Sequence, residues 1–198
     1  MDDPQPTRFS LLARLKESDD GLAWSEFLEI YTPVVYGLAR KCGLQDADAS
    51  DVTQEVFRTV IRSIGKFQCS QEKGSFRAWL IAVVRSRLSD YYATRGKHAH
   101  GTGDTGMLAF LDGQPADNEG GTFWDKEYQK SVFEWASRRV RSDFQDSTWQ
   151  AFWKTSVEGL DREEVASALG MTPGAVSVAK CRVTARLKDV IQEIQEES

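Results

Sequence analysis

Residues 160–188 read LDREEVASALGMTPGAVSVAKCRVTARLK, and their spacing decides the fold of the C-terminal third of the chain. Asp161 suits a helix cap, and Glu164 three positions later completes a capping-box-like pair. Val165, Ala166 and Leu169 make the apolar face of a short helix. Gly170 stands where the chain needs a left-handed backbone to leave that helix. Thr172 then caps a second helix, with Pro173 at its first position, where a fixed φ and a missing N–H do no harm. At 100° per residue, Val176, Ala179, Val183, Leu187, Val190 and Ile194 fall on one stripe of that helix. Val176 follows Gly170 at the spacing that packs the second helix across the first, and Ala166 is small where they cross. A plain pair of packed helices needs no such agreement of caps, glycine and alanine, so the segment reads as a helix-turn-helix. Opposite the stripe lie Gly174, Val178 and Cys181, flanked by Ser177 and Arg182. In such motifs this N-terminal face enters the major groove of DNA.

Upstream of the motif nearly everything also reads as helix. Residues 8–17 place Phe9, Leu12 and Leu15 on one face, and residues 23–41 place Trp24, Phe27, Leu28, Tyr31, Val34, Val35 and Leu38 at steps of three and four. From Asp46 to Ile64, Val52, Val56, Val60 and Ile64 recur every fourth residue, with Phe57 and Ile61 alongside. Asp46, Asp48 and Asp51 at the start of this segment suit the positive end of a helix dipole. A fourth helix is predicted from about residue 75 to residue 92. Residues 96–122 change character: seven glycines and one proline without a sustained period mark a linker. Its apolar island at 107–111 is expected to dock on one domain or the other. Helices are predicted again at about 123–142 (Phe123, Val132, Trp135, Ala136, Val140) and 147–157 (Trp149, Phe152, Trp153, Val157). The expected architecture is all-α: two small helical domains, residues 1–95 and 123–198, joined by an acidic tether at 96–122.

Composition narrows the function classes. No apolar run approaches the roughly 18–20 residues of a membrane span, so no membrane is expected. The acidic N-terminus lacks the apolar core of a signal peptide. Three cysteines, Cys42, Cys69 and Cys181, are odd in number and widely spaced, which argues against a disulfide framework and for the cytoplasm. The net charge of −5 is unusual for a DNA binder, because Lys and Arg supply most non-specific affinity for phosphates. The basic residues are clustered, however. Arg77, Arg85, Arg87, Arg95 and Lys97 face only Asp90 between residues 77 and 97, and Lys180, Arg182, Arg186 and Lys188 have no acidic neighbour between 165 and 188. Such a chain is expected to bind DNA weakly alone and to need a partner. Enzymatic chemistry has little support. His98 and His100, the only histidines, sit in the linker, and no nucleophile–base pairing, phosphate-binding glycine loop or metal-ligand spacing is present. No cofactor and no metal are expected.

Two further segments decide what the motif belongs to: DADASDVTQEVFRTVIRSIGKF at 46–67 and GSFRAWLIAVVRSRLSDYYATR at 74–95. Together with EGLDREEVASALGMTPGAVSVAKCRVTARL at 158–187, they resemble bacterial sigma factors of the extracytoplasmic-function (ECF) type of the sigma-70 family. The order also matches: region 2, a linker, then region 4, with region 3 absent. The resemblance implies a non-enzymatic specificity subunit whose partners are core RNA polymerase and promoter DNA, monomeric when free, with an anti-sigma factor as a further partner class. It implies that Asp48, Asp51, Gln54, Glu55 and Phe57 lie on the helix that docks on a coiled coil of core polymerase. It implies that Lys73, Arg77, Trp79, Arg85, Arg87, Tyr91, Tyr92 and Arg95 surround the opened −10 strand, where cations meet phosphates and aromatic rings meet flipped bases. Trp79 also lies among apolar positions, as a core residue would, and Tyr91 and Tyr92 cannot both face one way on a helix. For the −35 duplex the resemblance implies Thr172, Pro173, Gly174, Ser177, Val178, Cys181, Arg182 and Arg186. The chain departs from the family pattern at Ser86, where Asn is frequent, and at Ser177 and Ala179, where basic residues are frequent. The alternative is a stand-alone helix-turn-helix regulator, which would bind paired half-sites tightly without polymerase. The acidic balance speaks against it.

Overall fold

The computed structural model describes residues 11–17, 20–67, 76–95 and 119–195, and every regular element among them is helical. In chain order they are α1 (Leu11–Lys16), α2 (Gly21–Lys41), α3 (Asp46–Ser63), α4 (Phe76–Arg95), α5 (Glu119–Val140), α6 (Asp146–Ser156), α7 (Arg162–Leu169) and α8 (Pro173–Gln195). Single 3-10 turns close α3 at Ile64–Lys66 and α5 at Arg141–Asp143. The all-α class expected from the sequence is the one observed. Residues 96–118, with the apolar island and both histidines, lie outside the described residues, as do Cys69 and Lys73.

The described residues form two compact units that divide between Ser131 and Val132, inside α5. The first unit is a bundle of α1 to α4 closed by the first half of α5. Phe27, Ile30, Val34, Val35 and Leu38 of α2 are fully buried, as are Val56 and Val60 of α3 and Leu80, Val84 and Leu88 of α4. Burying each of these side chains contributes about 1.5–3 kcal/mol. One end of the bundle is aromatic: the Phe27 ring meets Phe57 edge-on at 5.8 Å, and Phe67 lies 5.0 Å from Trp79. On α3 the Val52–Val56–Val60–Ile64 stripe faces inward as predicted. Ile61 does not join it and is 55% exposed. It lies about 100° round the helix from the centre of that stripe, beyond the width that the neighbouring helices cover.

Composition suggested that everything after the linker belongs with the C-terminal motif, yet the start of α5 packs with the first unit. Trp124 is 1% exposed there. The Ser131 hydroxyl donates to the Ile30 carbonyl at 2.6 Å, and the Tyr128 ring lies 5.4 Å from that of Tyr31. The Phe123 ring sits over Gly37 at 3.6 Å from where a Cβ would stand, with the Lys41 ammonium 4.8 Å above it. A small residue at position 37 thus lets the aromatic ring settle on α2.

The second unit comprises the end of α5 with α6, α7 and α8. Its core joins Val132, Trp135, Ala136 and Val140 to Trp149 and Phe152 of α6 and to the apolar stripe of α8. Trp149 and Trp153 stack at 5.8 Å, and Trp153 lies against Phe133. Arg141 covers the Trp149 ring at 5.5 Å, a cation–π contact that shields the edge of the core. Beside these rings an open groove of about 450 Å³ runs between the end of α5 and α6.

Candidate nucleic-acid interface

Local chemistry places the helix-turn-helix as the sequence suggests. The Asp161 carboxylate accepts from the backbone N–H groups of Glu163 at 2.8 Å and Glu164 at 3.3 Å, capping α7; a side-chain hydrogen bond with Glu163, together with these N–H groups, holds the acid below the usual carboxylate range. Gly170 ends α7 with φ 63° and ψ 31°, a left-handed conformation that favours glycine. The Thr172 hydroxyl oxygen accepts from the Ala175 N–H at 3.1 Å and starts α8. Val165, Ala166, Val176 and Ala179 then pack with Ala151 of α6 in one small core, with Leu169 and Met171 at its edge. All six positions of the predicted stripe, Val176, Ala179, Val183, Leu187, Val190 and Ile194, are buried.

What this leaves outward is the predicted reading face. Thr172, Pro173, Gly174, Cys181, Arg182 and Arg186 are exposed, and Val178 is 58% exposed. Ser177 is half-buried, and its hydroxyl donates back to the Pro173 carbonyl at 3.2 Å. Arg186 is engaged by an acid from outside the motif: its Nε donates to Asp143 Oδ2 at 2.8 Å, which raises the guanidinium pKa. Sequence reasoning missed this pair. Asp143 lies 43 residues away with no local signal to connect them.

On α4 the structure separates the residues assigned to the opened strand. Trp79 is half-buried, with its ring 5.0 Å from Phe67 and 5.4 Å from Phe76. Arg77 pairs with Asp125 at 2.8 Å and Arg87 with Asp90 at 3.0 Å. Arg85 is half-buried, and burial lowers its pKa. Both tyrosines point back into the bundle: the Tyr91 hydroxyl donates to Asp48 Oδ2 at 2.8 Å, and the Tyr92 hydroxyl donates to the Cys42 carbonyl. Burial pushes the Tyr92 hydroxyl and the Cys42 thiol up to about 12 each. Arg95 ends α4.

The docking residues on α3 divide as well. Asp51, Gln54 and Glu55 are exposed. Asp48 and Phe57, named with them for the docking helix, turn inward instead, Asp48 beneath Tyr91 and Phe57 against Phe27 beside the apolar stripe. Outward beside the other three stand Arg58, ion-paired to Glu55, which the sequence did not single out, and Ile61, which was expected alongside the buried stripe. Asp51, Gln54, Arg58 and Ile61 succeed one another at steps of three and four, so they form a single outward row. Among the described residues no three His, Cys, Asp or Glu side chains gather as metal ligands, and no helix is long and apolar enough to cross a membrane.

Comparison with known proteins places these helices. The family profile "Sigma-70 region 2" matches residues 27–98, which take in α3 and α4 and most of α2. The ECF RNA polymerase sigma factor SigE of Mycolicibacterium smegmatis is 25% identical over 183 residues, 89% of this chain and 64% of that protein. The RNA polymerase sigma factor CnrH of Cupriavidus metallidurans is 24% identical over 183 residues, 91% of this chain and 93% of that protein.

Residues 27–98 match sigma-70 region 2, and over most of its length the chain is similar to ECF-type sigma factors.

The chain therefore spans a little under two thirds of SigE but nearly all of CnrH. A solved structure of CnrH in complex with the cytosolic domain of CnrY aligns over 92% of this chain and 95% of that one, with 18% identity and a TM-score of 0.36. The matched residues 27–98 contain both the α3 row and the α4 cations, and the helix-turn-helix comes after them in the second unit.

Proposed function

We propose that this chain binds core RNA polymerase, directs it to promoters and helps open the −10 element, acting as a non-enzymatic specificity subunit in the cytoplasm. The observation that carries the reading is α8. Its inward stripe is fully committed to the core, while Gly174, Val178, Cys181 and Arg182 of its outward N-terminal face are exposed. That is the form of a helix built to enter a DNA groove. The exposed α3 row supplies the polymerase contact: Asp51, Gln54 and Glu55 offer acids and an amide to a basic partner, and Ile61 offers an apolar anchor among them. Residues 1–95 serve as region 2 and the second unit, from Val132, as region 4, with an anti-sigma factor as the class of protein that would hold the chain inactive. For the −10 strand, Arg77, Arg85, Arg87 and Trp79 retain exposed surface, as do Tyr91 and Tyr92, whose hydroxyls also hold α4 in place.

Near-neutral domains fit this division of labour, since polymerase supplies phosphate contacts that the chain lacks. The test is a binding titration of the purified chain with bacterial core RNA polymerase, beside a Gln54→Ala/Glu55→Ala variant. Submicromolar association that weakens at least tenfold in the variant, with promoter-selective transcription from the wild type, is the expected result. Absence of association, together with tight duplex binding by the chain alone, would overturn the reading.

A further inference from the structure

The surface of α8 specifies how a −35 duplex is read as well as that it is read. Around Val178, the outward positions are occupied by side chains of low relief: Gly174 one turn before, Cys181 and Ala185 one and two turns after, all exposed. A Cβ at Gly174 would have only the Thr172 hydroxyl within 4 Å, at 3.9 Å, so this part of the ridge is open. Val178 is therefore the tallest apolar group at the centre of the face, and it is 58% exposed. The hydrogen-bonding side chains nearby are already committed. The Thr172 oxygen caps α8, the Ser177 hydroxyl is bonded to the Pro173 carbonyl, and Arg186 is held by Asp143. Of the polar side chains beside Val178, Arg182 carries a guanidinium for which none of the described contacts gives a partner.

A face of this kind distinguishes bases by two means. A low ridge lets the helix approach the floor of the major groove, where thymine alone presents a methyl group; a free guanidinium pairs in bidentate fashion with guanine O6 and N7. Residues 165–188 carry Lys180, Arg182, Arg186 and Lys188 and no acid, a balance that suits a polyanion. We infer that Val178 is a specificity-determining residue that selects a thymine in the −35 element by apolar contact with its C5-methyl group, with Arg182 selecting a neighbouring guanine. The inference rests on the proposed sigma function and deepens it.

The experiment uses the full chain reconstituted with core RNA polymerase. Holoenzyme first selects binders from a pool of duplexes randomised across the −35 segment. The enriched duplex is then remade with deoxyuridine in place of each thymine in turn, a change that deletes only the methyl. One substitution should weaken wild-type binding about fourfold, the worth of one buried carbon group. The same substitution should have no effect on Val178→Ala, while Arg182→Ala should lose roughly five- to a hundredfold discrimination at a guanine. Val178 is exposed and outside the core, so melting curves of the two chains should superimpose. If a −35 sequence is enriched but no deoxyuridine weakens binding, or if the penalty persists in Val178→Ala, the inference fails and the sigma reading stands. If no −35 sequence is enriched at all, the sigma reading fails and takes the inference with it.

Discussion

The Tyr91 hydroxyl donates to Asp48 Oδ2 at 2.8 Å across 43 residues of sequence, fastening α4 to the first turns of α3. Asp48 is 9% exposed, so the bond forms where water competes little. A tyrosine in the segment assigned to the opened strand thus serves to hold α4 to α3.

Tyr91→Phe should accordingly lower stability by about 1–3 kcal/mol, the cost of removing one partner from a largely buried charge-assisted bond. Thermal melts would register this as a fall of several degrees. Promoter opening by the folded variant, tracked with a base-reactivity probe at low temperature, should remain near wild type. A variant that melts normally yet fails to open DNA would assign Tyr91 to the strand instead.

Asp143 is ion-paired with Arg186, one of the residues proposed to meet the −35 duplex. Asp143→Ala should therefore raise duplex affinity several-fold at low salt, because the guanidinium no longer has to leave a carboxylate. The double-mutant cycle is the sharper measurement. Arg186→Ala should cost more binding in the Asp143→Ala background than in the wild type, and in that background it should reduce the salt slope by about one unit.

At Gly170, φ is 63°, so Gly170→Ala should destabilise the second unit by about 1 kcal/mol, with Gly170→Asn milder. Thr172→Ala removes the cap on α8 and should cost about 1 kcal/mol. Denaturant titration monitored by the fluorescence of Trp149 and Trp153 reads both. An unchanged midpoint for Gly170→Ala would mean the turn relaxes out of the left-handed region.

Alkaline pH tests the packing around Cys42. Burial raises its thiol from the ordinary 9.0 to about 12, so the folded state keeps a proton that the unfolded state loses. The stability this represents is complete below about pH 9 and disappears as pH rises toward 12. The wild type should thus lose stability over that window more steeply than Cys42→Ala. Tyr92, raised from 10.0 to about 12, adds a slope of the same sign from about pH 10 that both proteins share. Ellman's reagent at pH 8 should label Cys181, which is exposed, and leave Cys42 unlabelled until the chain unfolds.

Where local chemistry governs, the sequence was legible. The caps at Asp161 and Thr172, the left-handed Gly170 and the six inward positions of α8 can all be read from spacing alone, because each depends on residues within a few turns. Where partners are distant it was not. Nothing in α3 by itself says that Tyr91 will draw Asp48 inward, or that Ile61 will find no helix to cover it. Trp124 sits just beyond a glycine-rich stretch, and composition assigned it to the C-terminal domain although it packs with the N-terminal bundle. The commitment of Arg186 to Asp143 and of Tyr92 to the Cys42 carbonyl depends likewise on tertiary approach, which residue type and periodicity do not encode.

The two faces of α8 share no residue. The positions that hold the helix in place are Val176, Ala179, Val183, Leu187, Val190 and Ile194, and those that look outward are Gly174, Val178, Cys181, Arg182 and Ala185. Substitutions in the outward set therefore cost the fold little, generally within about 0.5 kcal/mol for surface changes. A gene duplicate of such a chain can remodel its outward face one codon at a time without passing through an unfolded intermediate. The same separation makes α8 a cassette for laboratory retargeting, in which the outward positions are varied while the scaffold beneath them stays fixed.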